Sequence, residues 1–316
     1  MSERQRGMNL LHEVNKTSGF KNLELLAKQV VEGFIAGMHK SPFHGFSAEF
    51  AEHKMYNQGE STRHIDWKLF AKTEKLFTKR YDEETNLRCH IIIDNSSSMH
   101  YPKVNNLSID SLNKIGFSAL AAASVMHILK KQRDAVGLSI YSNSYDYYAP
   151  EKGSERHHSM LLNQLENMAT TKPQNISTNT YEYLHQIAEK IHRRSMIFLF
   201  TDMFQSGIDN DKLFDALRHL KYNKHDVILF HVFDKEKELS FDFDNKPKRF
   251  VDVETGEQID LYAENIKDNY KKAVAAYFNN IKLKCGQYQI KYVEANVNEN
   301  FNTILTTYML ERQKFV

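Results

Sequence analysis

The chain has 316 residues, of which 41% are hydrophobic and 26% are charged, a balance typical of a soluble globular protein with one large or two modest domains. The formal net charge of +2 and the lack of a basic stripe argue against a nucleic-acid partner. No apolar run has the length of a membrane span, and two cysteines are too few for a disulfide framework, so a reducing cytoplasm is the expected setting.

The first 86 residues are predicted to form an N-terminal α+β extension, packed on or beside the main domain. Apolar residues between Leu23 and Met38 recur at helical spacing and predict an amphipathic helix. A dense polar block runs from Tyr56 to Trp67, followed by a predicted helix from Lys68 to Lys75 and a predicted strand from Leu76 to Tyr81. The block could form a second recognition surface or fasten the extension to the sheet, and its Arg–Asp pair beside a tryptophan is more typical of a structural role.

From Leu87 onward, apolar β-branched runs alternate with segments of helical periodicity. This alternation predicts a doubly wound α/β fold, in which a mostly parallel sheet has helices on both faces. The main domain is therefore assigned to residues 87–316. The predicted strands are Leu87–Ile93, Ala135–Tyr141, Met196–Phe200, Val227–Phe233 and Gln289–Val293, with hairpin strands at Tyr145–Tyr148, Phe250–Val253 and Gln258–Leu261. The predicted helices are Leu107–Leu129, Leu161–Met168, Tyr181–Ile191, Leu213–Leu220, Ile266–Leu283 and Phe301–Leu310.

The first strand of the main domain ends in a pattern of oxygen-bearing side chains. The apolar run Ile91–Ile93 is followed by Asp94, and Ser96 and Ser98 come at alternate positions after it. Open α/β sheets bind ligands at the carboxyl ends of their strands, and one carboxylate with two hydroxyls suits a hard cation such as magnesium. Serine and aspartate are also ordinary turn and N-cap residues, so the motif alone leaves both interpretations open.

Two further turns of this kind belong to the same predicted edge of the sheet. Thr178, with Ser177 and Thr180 beside it, precedes a predicted helix, and Asp202 follows the apolar strand Met196–Phe200. Thr178, Thr180 and Asp202 could each be a helix cap instead. Three oxygen-bearing turns at one edge favour a shared metal site over unrelated caps.

The order of these residues, Asp94-x-Ser96-x-Ser98, then Thr178, then Asp202, resembles the metal-ion-dependent adhesion site of von Willebrand factor A domains. The resemblance implies that the three hydroxyls bind Mg²⁺ or Mn²⁺ directly. The resemblance also places the carboxylates of Asp94 and Asp202 near the ion, which they contact in part through bound water. Magnesium takes six oxygens in near-octahedral array, so one position is left for water or for a carboxylate from a partner. The implied function is non-enzymatic, a metal-dependent module that binds a protein partner supplying an acidic side chain.

A narrower resemblance begins upstream of this site. The stretch Tyr56–Ala71, followed by Lys79-Arg80-Tyr81 and the metal turn, is similar to an uncharacterised bacterial family with a von Willebrand A-like domain. Members of that family are commonly encoded beside MoxR-type AAA+ ATPases. The resemblance therefore implies an adaptor that works with such an ATPase in chaperone-like assembly or maturation. Ser177 and Met203 stand where many such domains have glycine.

Two other interpretations remain open on the sequence. The same cation could polarise a phosphoester, which makes a metal-assisted phosphoester hydrolase the alternative, with His100 as its candidate proton carrier. Against it, the turns show no second metal cluster and no nucleophile activated by a neighbouring histidine. The turns could also be caps without any metal. The fifteen histidines are scattered and are expected on the surface and in loops.

Overall fold

The computed structural model describes residues 22–38, 53–55, 67–79, 87–104, 107–142, 145–171, 180–203, 210–243, 246–252 and 256–313. These residues belong to two compact units. Helix α1 (Leu23–Met38) has the predicted bounds, and its residues up to Phe34 belong to the larger unit. The polar block Tyr56–Asp66 and the side chain of Trp67 lie outside the described residues.

The smaller unit contains a short antiparallel pair of strands. Strands β1 (His53–Met55) and β2 (Phe77–Lys79) pair with each other, and helix α2 (Trp67–Thr73) lies between them in the chain. Helix α2 and strand β2 confirm the predicted short helix and strand. The helix begins one residue before the predicted Lys68 and ends two residues before Lys75, and the strand begins one residue after the predicted Leu76 and is described as far as Lys79.

The larger unit alternates strands and helices along the chain, as the periodicity predicts. Its strands are β3 (Arg88–Asp94), β4 (Ala135–Tyr141), β5 (Tyr145–Lys152), β6 (Met196–Thr201), β7 (Asp226–Phe233), β8 (Pro247–Val251), β9 (Gln258–Tyr262) and β10 (Lys291–Asn296). Its further helices are α3 (Lys114–Lys131), α4 (Glu155–Thr170), α5 (Thr180–Lys190), α6 (Asn210–Tyr222), α7 (Ala263–Gln287) and α8 (Asn302–Arg312).

Six of these strands form one sheet in the order β10–β7–β6–β3–β4–β5. Within this sheet only the β4–β5 pair is antiparallel, because a short hairpin joins these two strands whereas helices connect the others. Strands β8 and β9 form a separate antiparallel hairpin. The predicted α/β fold with a mostly parallel sheet is therefore confirmed.

The sheet is covered on both faces. Ile92 belongs to an apolar cluster with residues of α5, α6 and α7. On the opposite face, Phe198 makes an edge-on ring contact with Tyr308 of α8, with centroids 6.0 Å apart, and Phe117 of α3 stacks on Phe301 just before α8. Successive residues of a strand point to opposite faces, so strands covered on both sides are apolar at nearly every position. No helix among the described residues has the length and apolar character needed to cross a membrane.

Helix α3 begins at Lys114, seven residues later than the predicted Leu107. Asn113 caps it, because its side-chain Oδ1 accepts a hydrogen bond of 2.9 Å from the backbone N–H of Gly116. The apolar spacing of the preceding segment imitates a helical pattern, but that segment makes a local bridge between Ser108 and Ser111 instead. The later start places Lys114 in the first turn of α3, at the carboxyl edge of the sheet.

Candidate functional site

The carboxyl edge of the central strands carries four of the five predicted metal-site residues. Asp94 is the last residue of β3, and Asp202 directly follows β6, the strand that pairs with β3. Ser96 and Ser98 belong to the turn after β3, and all four side chains are at least nine-tenths buried. The fifth residue, Thr178, lies outside the described residues.

Hydrogen bonds fix the orientation of the Asp94 carboxylate. Its Oδ1 accepts from the backbone N–H of Ser96 at 2.9 Å, and its Oδ2 accepts from the Thr201 hydroxyl at 2.8 Å. Thr201, the last residue of β6, is therefore a positioning residue whose role the sequence did not reveal. With one hydrogen bond already at each oxygen, the carboxylate is better arranged to hold water molecules near a cation than to surround the ion itself.

The two serine hydroxyls have a separation that fits a magnesium ion. Ser96 Oγ lies 3.0 Å from Ser98 Oγ. Two oxygens that are each about 2.1 Å from an ion, at right angles, are about 3 Å apart, which is the arrangement of adjacent ligands in an octahedral Mg²⁺ site. Among the described residues, no three His, Cys, Asp or Glu side chains form a ready metal cluster. A site here would therefore depend on hydroxyl ligands, and the serine pair fits that requirement.

A buried lysine occupies the same edge. Lys114 Nζ donates to Asp202 Oδ2 at 2.8 Å and to Glu238 Oε1 at 2.5 Å, and its side chain is only 1% exposed. Burial lowers the pKa of Lys114, but the two carboxylates outweigh burial, so the pKa lies above its ordinary value and the ammonium group is charged. The sequence signal for this role is a lysine at the start of an otherwise apolar helix.

Glu238 connects the edge to the neighbouring strand. Its Oε2 accepts from the backbone N–H of Asp234, directly after β7. Asp234 Oδ1 in turn accepts from the N–H groups of Glu236 and Lys237 and so begins the single π-helical turn Lys235–Leu239. Hydrogen bonds therefore run from Asp202 through Lys114 to the turn that follows β7.

Burial shifts the pKa values of two side chains at the carboxyl edge of the sheet. Burial, and then the neighbouring Asp202 carboxylate, raise the pKa of Asp94 to about 7, because two buried like charges oppose each other. Burial lowers the pKa of His100 to about 4, and its Nε2 lies 3.1 Å from Asn95 Oδ1. A proton carrier at neutral pH works best with a pKa near 7, so His100 is poorly suited to the role it would have in a hydrolase.

Met203, directly after Asp202, adopts a backbone conformation that favours glycine. Its φ angle is +57°, in the left-handed region that favours glycine. The Met203 side chain is 2% exposed and belongs to the apolar cluster on the face of α5, α6 and α7. Tyr277 also donates a hydrogen bond to the Met203 carbonyl. Packing and this hydrogen bond thus hold a non-glycine residue in a conformation that costs about 1–2 kcal/mol.

A second polar cluster lies inside the sheet, away from the edge. His90 Nε2 is 2.7 Å from Ser139 Oγ, and His90 Nδ1 is 2.6 Å from Glu151 Oε1. The order serine–histidine–carboxylate matches that of a hydrolase triad, but Ser139 is 0% exposed and a substrate has no path to its hydroxyl. We interpret the cluster as a satisfied buried network.

The histidine prediction was wrong for several residues of the larger unit. In the strands, His90 and His231 are buried because both nitrogens of each ring find hydrogen-bond partners. The buried histidines among the described residues are His90, His100, His157, His158, His225 and His231.

Comparisons with known proteins agree with the bacterial family suggested by the sequence motifs. A family described as "Protein of unknown function DUF58" matches residues 52–279. Uncharacterized proteins of Mycobacterium bovis and Mycobacterium tuberculosis are each 21% identical over 262 residues, covering 82% of this chain and 78% of theirs.

Two solved structures have a similar arrangement. The conserved hypothetical protein BatB from Bacteroides thetaiotaomicron matches with a TM-score of 0.44 and 15% identity, over 73% of this chain and all of that one. The SpRpn10 VWA domain matches with a TM-score of 0.38 and 11% identity, over 70% of this chain and 94% of that one.

Proposed function

The chain belongs to the family described as proteins of unknown function DUF58, and we propose that its α/β unit is a metal-dependent module that binds a protein partner through an acidic side chain. One observation supports the proposal most directly. The buried hydroxyls of Ser96 and Ser98 lie 3.0 Å apart, at the carboxyl edge where open α/β sheets bind ligands.

The residues divide into two roles in this proposal. Ser96, Ser98 and Thr178 would hold Mg²⁺ or Mn²⁺ through their hydroxyls, and Asp94 and Asp202 would hold water molecules around it. A bound dication supplies a Lewis-acidic position that accepts a carboxylate oxygen.

Lys114 favours an anionic partner at this edge. Its ammonium group pairs with Asp202 and Glu238 and so offsets part of the negative charge that an approaching carboxylate would meet. Because neutral hydroxyls rather than carboxylates would surround the ion, its positive charge would remain largely available to the partner. This chemistry is that of selective binding and does not require turnover.

The partner we propose is a MoxR-type AAA+ ATPase or a protein that such an ATPase remodels. This part of the proposal depends on the resemblance of the Tyr56–Ala71 stretch and the metal motif to the bacterial family. A cytoplasmic setting belongs to the same proposal and agrees with the free, buried thiols of Cys89 and Cys285.

Calorimetric titration with Mg²⁺ and Mn²⁺ tests the metal site. We expect about one equivalent to bind to the wild-type protein and binding to weaken at least tenfold in Ser98→Ala, because an octahedral ion would lose one direct ligand. Ser124→Ala is the matched control, since Ser124 is also buried but bonds only the Leu120 carbonyl within its own helix. Equal affinity in all three proteins, or no binding to any of them, would contradict the proposal.

Partner binding is tested with a purified MoxR-type AAA+ ATPase, the class of partner that we propose. Wild type and Ser98→Ala are immobilised and compared in one buffer that contains Mg²⁺, so that the ATPase keeps its own metal in both cases. We expect the serine variant to lose most of its binding signal while Ser124→Ala keeps it. Equal binding by all three proteins would show that the contact does not use the metal edge.

A further inference from the structure

A pair of histidines joins two helices on the outer surface of the larger unit. His185 on α5 and His219 on α6 have their Nδ1 atoms 2.9 Å apart, with ring centroids 5.1 Å apart. Both rings are half-buried. We propose that this pair is a binding site for a divalent transition-metal ion of the zinc, copper and nickel class.

A neighbouring carboxylate fixes the protonation of one ring. His219 Nε2 lies 2.9 Å from Glu189 Oε1. A carboxylate only accepts, so the imidazole Nε2 carries the hydrogen and the Nδ1 lone pair points toward His185. Metal-binding histidines commonly donate their other ring N–H to a carboxylate, which orients the ring and raises its basicity. Glu189 gives His219 that arrangement.

The second ring needs a change of tautomer. In the metal-free protein His185 donates its Nδ1 hydrogen to His219 Nδ1. When its hydrogen moves to Nε2, both rings are neutral and each Nδ1 has a lone pair for one ion, toward which each ring turns by roughly 45° from the hydrogen-bonded direction.

The distance between the nitrogens suits one ion. Metal–imidazole bonds are about 2.0–2.1 Å long, so two nitrogens at right angles around one ion are about 2.9 Å apart. Right-angled nitrogen pairs occur in the tetragonal sites of copper and nickel, and a tetrahedral zinc ion would hold the two nitrogens about 3.3 Å apart. The observed distance is close to what either geometry needs, so binding requires the rings to turn rather than the helices to separate.

The remaining ligand positions would face an open depression between the two helices. Its volume is about 440 Å³, and it is lined by Tyr181, Glu182, His185, Gln186, Lys212 and Asp215. In the structure Asp215 pairs with Arg218 at 3.0 Å, and no third His, Cys, Asp or Glu side chain in the described ranges already completes a cluster. Water or a rotated carboxylate of this depression would complete the coordination.

Calorimetry with Zn²⁺ tests the site, in a buffer with excess Mg²⁺ that competes for the hydroxyl edge. We expect one Zn²⁺ equivalent in the wild type, with affinity at least tenfold weaker in His185→Gln and in His219→Gln. Glu189→Gln should weaken binding about tenfold, which is the usual effect of removing a carboxylate that orients a ligand. His192→Gln is the control, since His192 is exposed just beyond α5 and its ring Nδ1 lies 3.0 Å from the neighbouring Arg193 carbonyl rather than near the histidine pair.

Thermal melting separates a metal site from a plain hydrogen bond. Zn²⁺ should raise the melting temperature of the wild type and of His192→Gln but not that of His219→Gln, because only an ion held by both helices stabilises their packing. Two results would overturn the proposal. One is no Zn²⁺ binding up to high micromolar concentration, and the other is binding that both histidine substitutions leave unchanged.

Discussion

Gly137 shows how closely the interior of the sheet is packed around a polar group. It lies opposite His90 in the β3–β4 pair, and a Cβ at this position would be 2.5 Å from His90 Nδ1 and 2.9 Å from the Ala149 carbonyl oxygen. The ring cannot retreat without losing its bonds to Ser139 and Glu151. The absence of a side chain at residue 137 therefore makes room for the buried histidine network.

We expect Gly137→Ala to lower the free energy of unfolding by about 1–3 kcal/mol, because overpacking displaces both a hydrogen-bonded ring and a strand carbonyl. Urea denaturation measures the change. Gly286→Ala is the matched control, since a Cβ there meets nothing within 4 Å and alanine is the better helix former. A Gly137→Ala protein as stable as the wild type would mean that the His90 network tolerates rearrangement.

Single residues differ in how far the sequence predicts their place. Asp94 ends one apolar strand and Asp202 follows another, and parallel strands bring their carboxyl ends to one edge, so the pattern predicts their common edge, whereas their proximity depends on the pairing of β3 with β6. Lys114 is different, because its position depends on where α3 begins. The contact of His90 with Ser139 depends on the register of two strands 49 residues apart in sequence, which periodicity does not determine.

Helix α3 places Lys114 in its first turn, where the lysine pairs with two carboxylates. Because Asn113 ends the preceding loop and caps the helix, Lys114 Nζ reaches Asp202 after β6 and Glu238 in the turn after β7. The predicted start at Leu107 places Lys114 two turns inside the helix and so misses these contacts. Apolar spacing continues into the loop before the helix, whereas the capping residue sets where the helix begins. One side chain thus connects three elements at the candidate site.

Lys114→Met is expected to destabilise the protein by about 3–5 kcal/mol, because it leaves the buried carboxylates of Asp202 and Glu238 without their cation. The double variant with Glu238→Gln should recover part of the loss, since one uncompensated charge is then removed. Equilibrium unfolding in urea gives both values.

Lys130→Met is the control for this prediction. Lys130 lies in the last turn of the same helix, and its partners Glu24 and Glu155 are largely exposed, so its loss should cost less than about 1 kcal/mol. Lys114→Met and Lys130→Met with equal effects would show that the link between α3, β6 and β7 adds no stability.

The overall α/β fold agrees with the sequence-based prediction more closely than the strand order and the buried polar contacts do. Alternating strands and helices define a parallel sheet because crossover connections require it, and β3, β4, β6 and β7 have nearly the predicted bounds. The strand order was not predictable, since apolar runs such as Ile91–Ile93 and Met196–Phe200 are equally suited to the centre of a sheet. The buried histidines were missed for a related reason: burial of a polar ring depends on partners that fold onto it from distant segments.

One of these buried histidines, His225, makes the stability of the protein depend on pH. Burial lowers the pKa of His225 to about 4, and its Nδ1 accepts from the Ser195 N–H at 3.1 Å. The unfolded ring has an ordinary pKa near 6.5, so between pH 6.5 and 4 the unfolded chain binds a proton that the folded one does not. The contribution of His225 is therefore full above pH 6.5 and falls as the pH drops toward 4.

His225→Asn isolates this contribution, because the asparagine oxygen can still accept from the Ser195 N–H but does not titrate. We expect wild type to lose roughly 2 kcal/mol more unfolding free energy than the variant between pH 7 and pH 5. Urea unfolding of both proteins at the two pH values measures this difference. Titrating groups distant from the ring contribute equally to both proteins and cancel to first order. Parallel pH dependences would mean that the ring is protonated as easily in the folded state as in the unfolded chain.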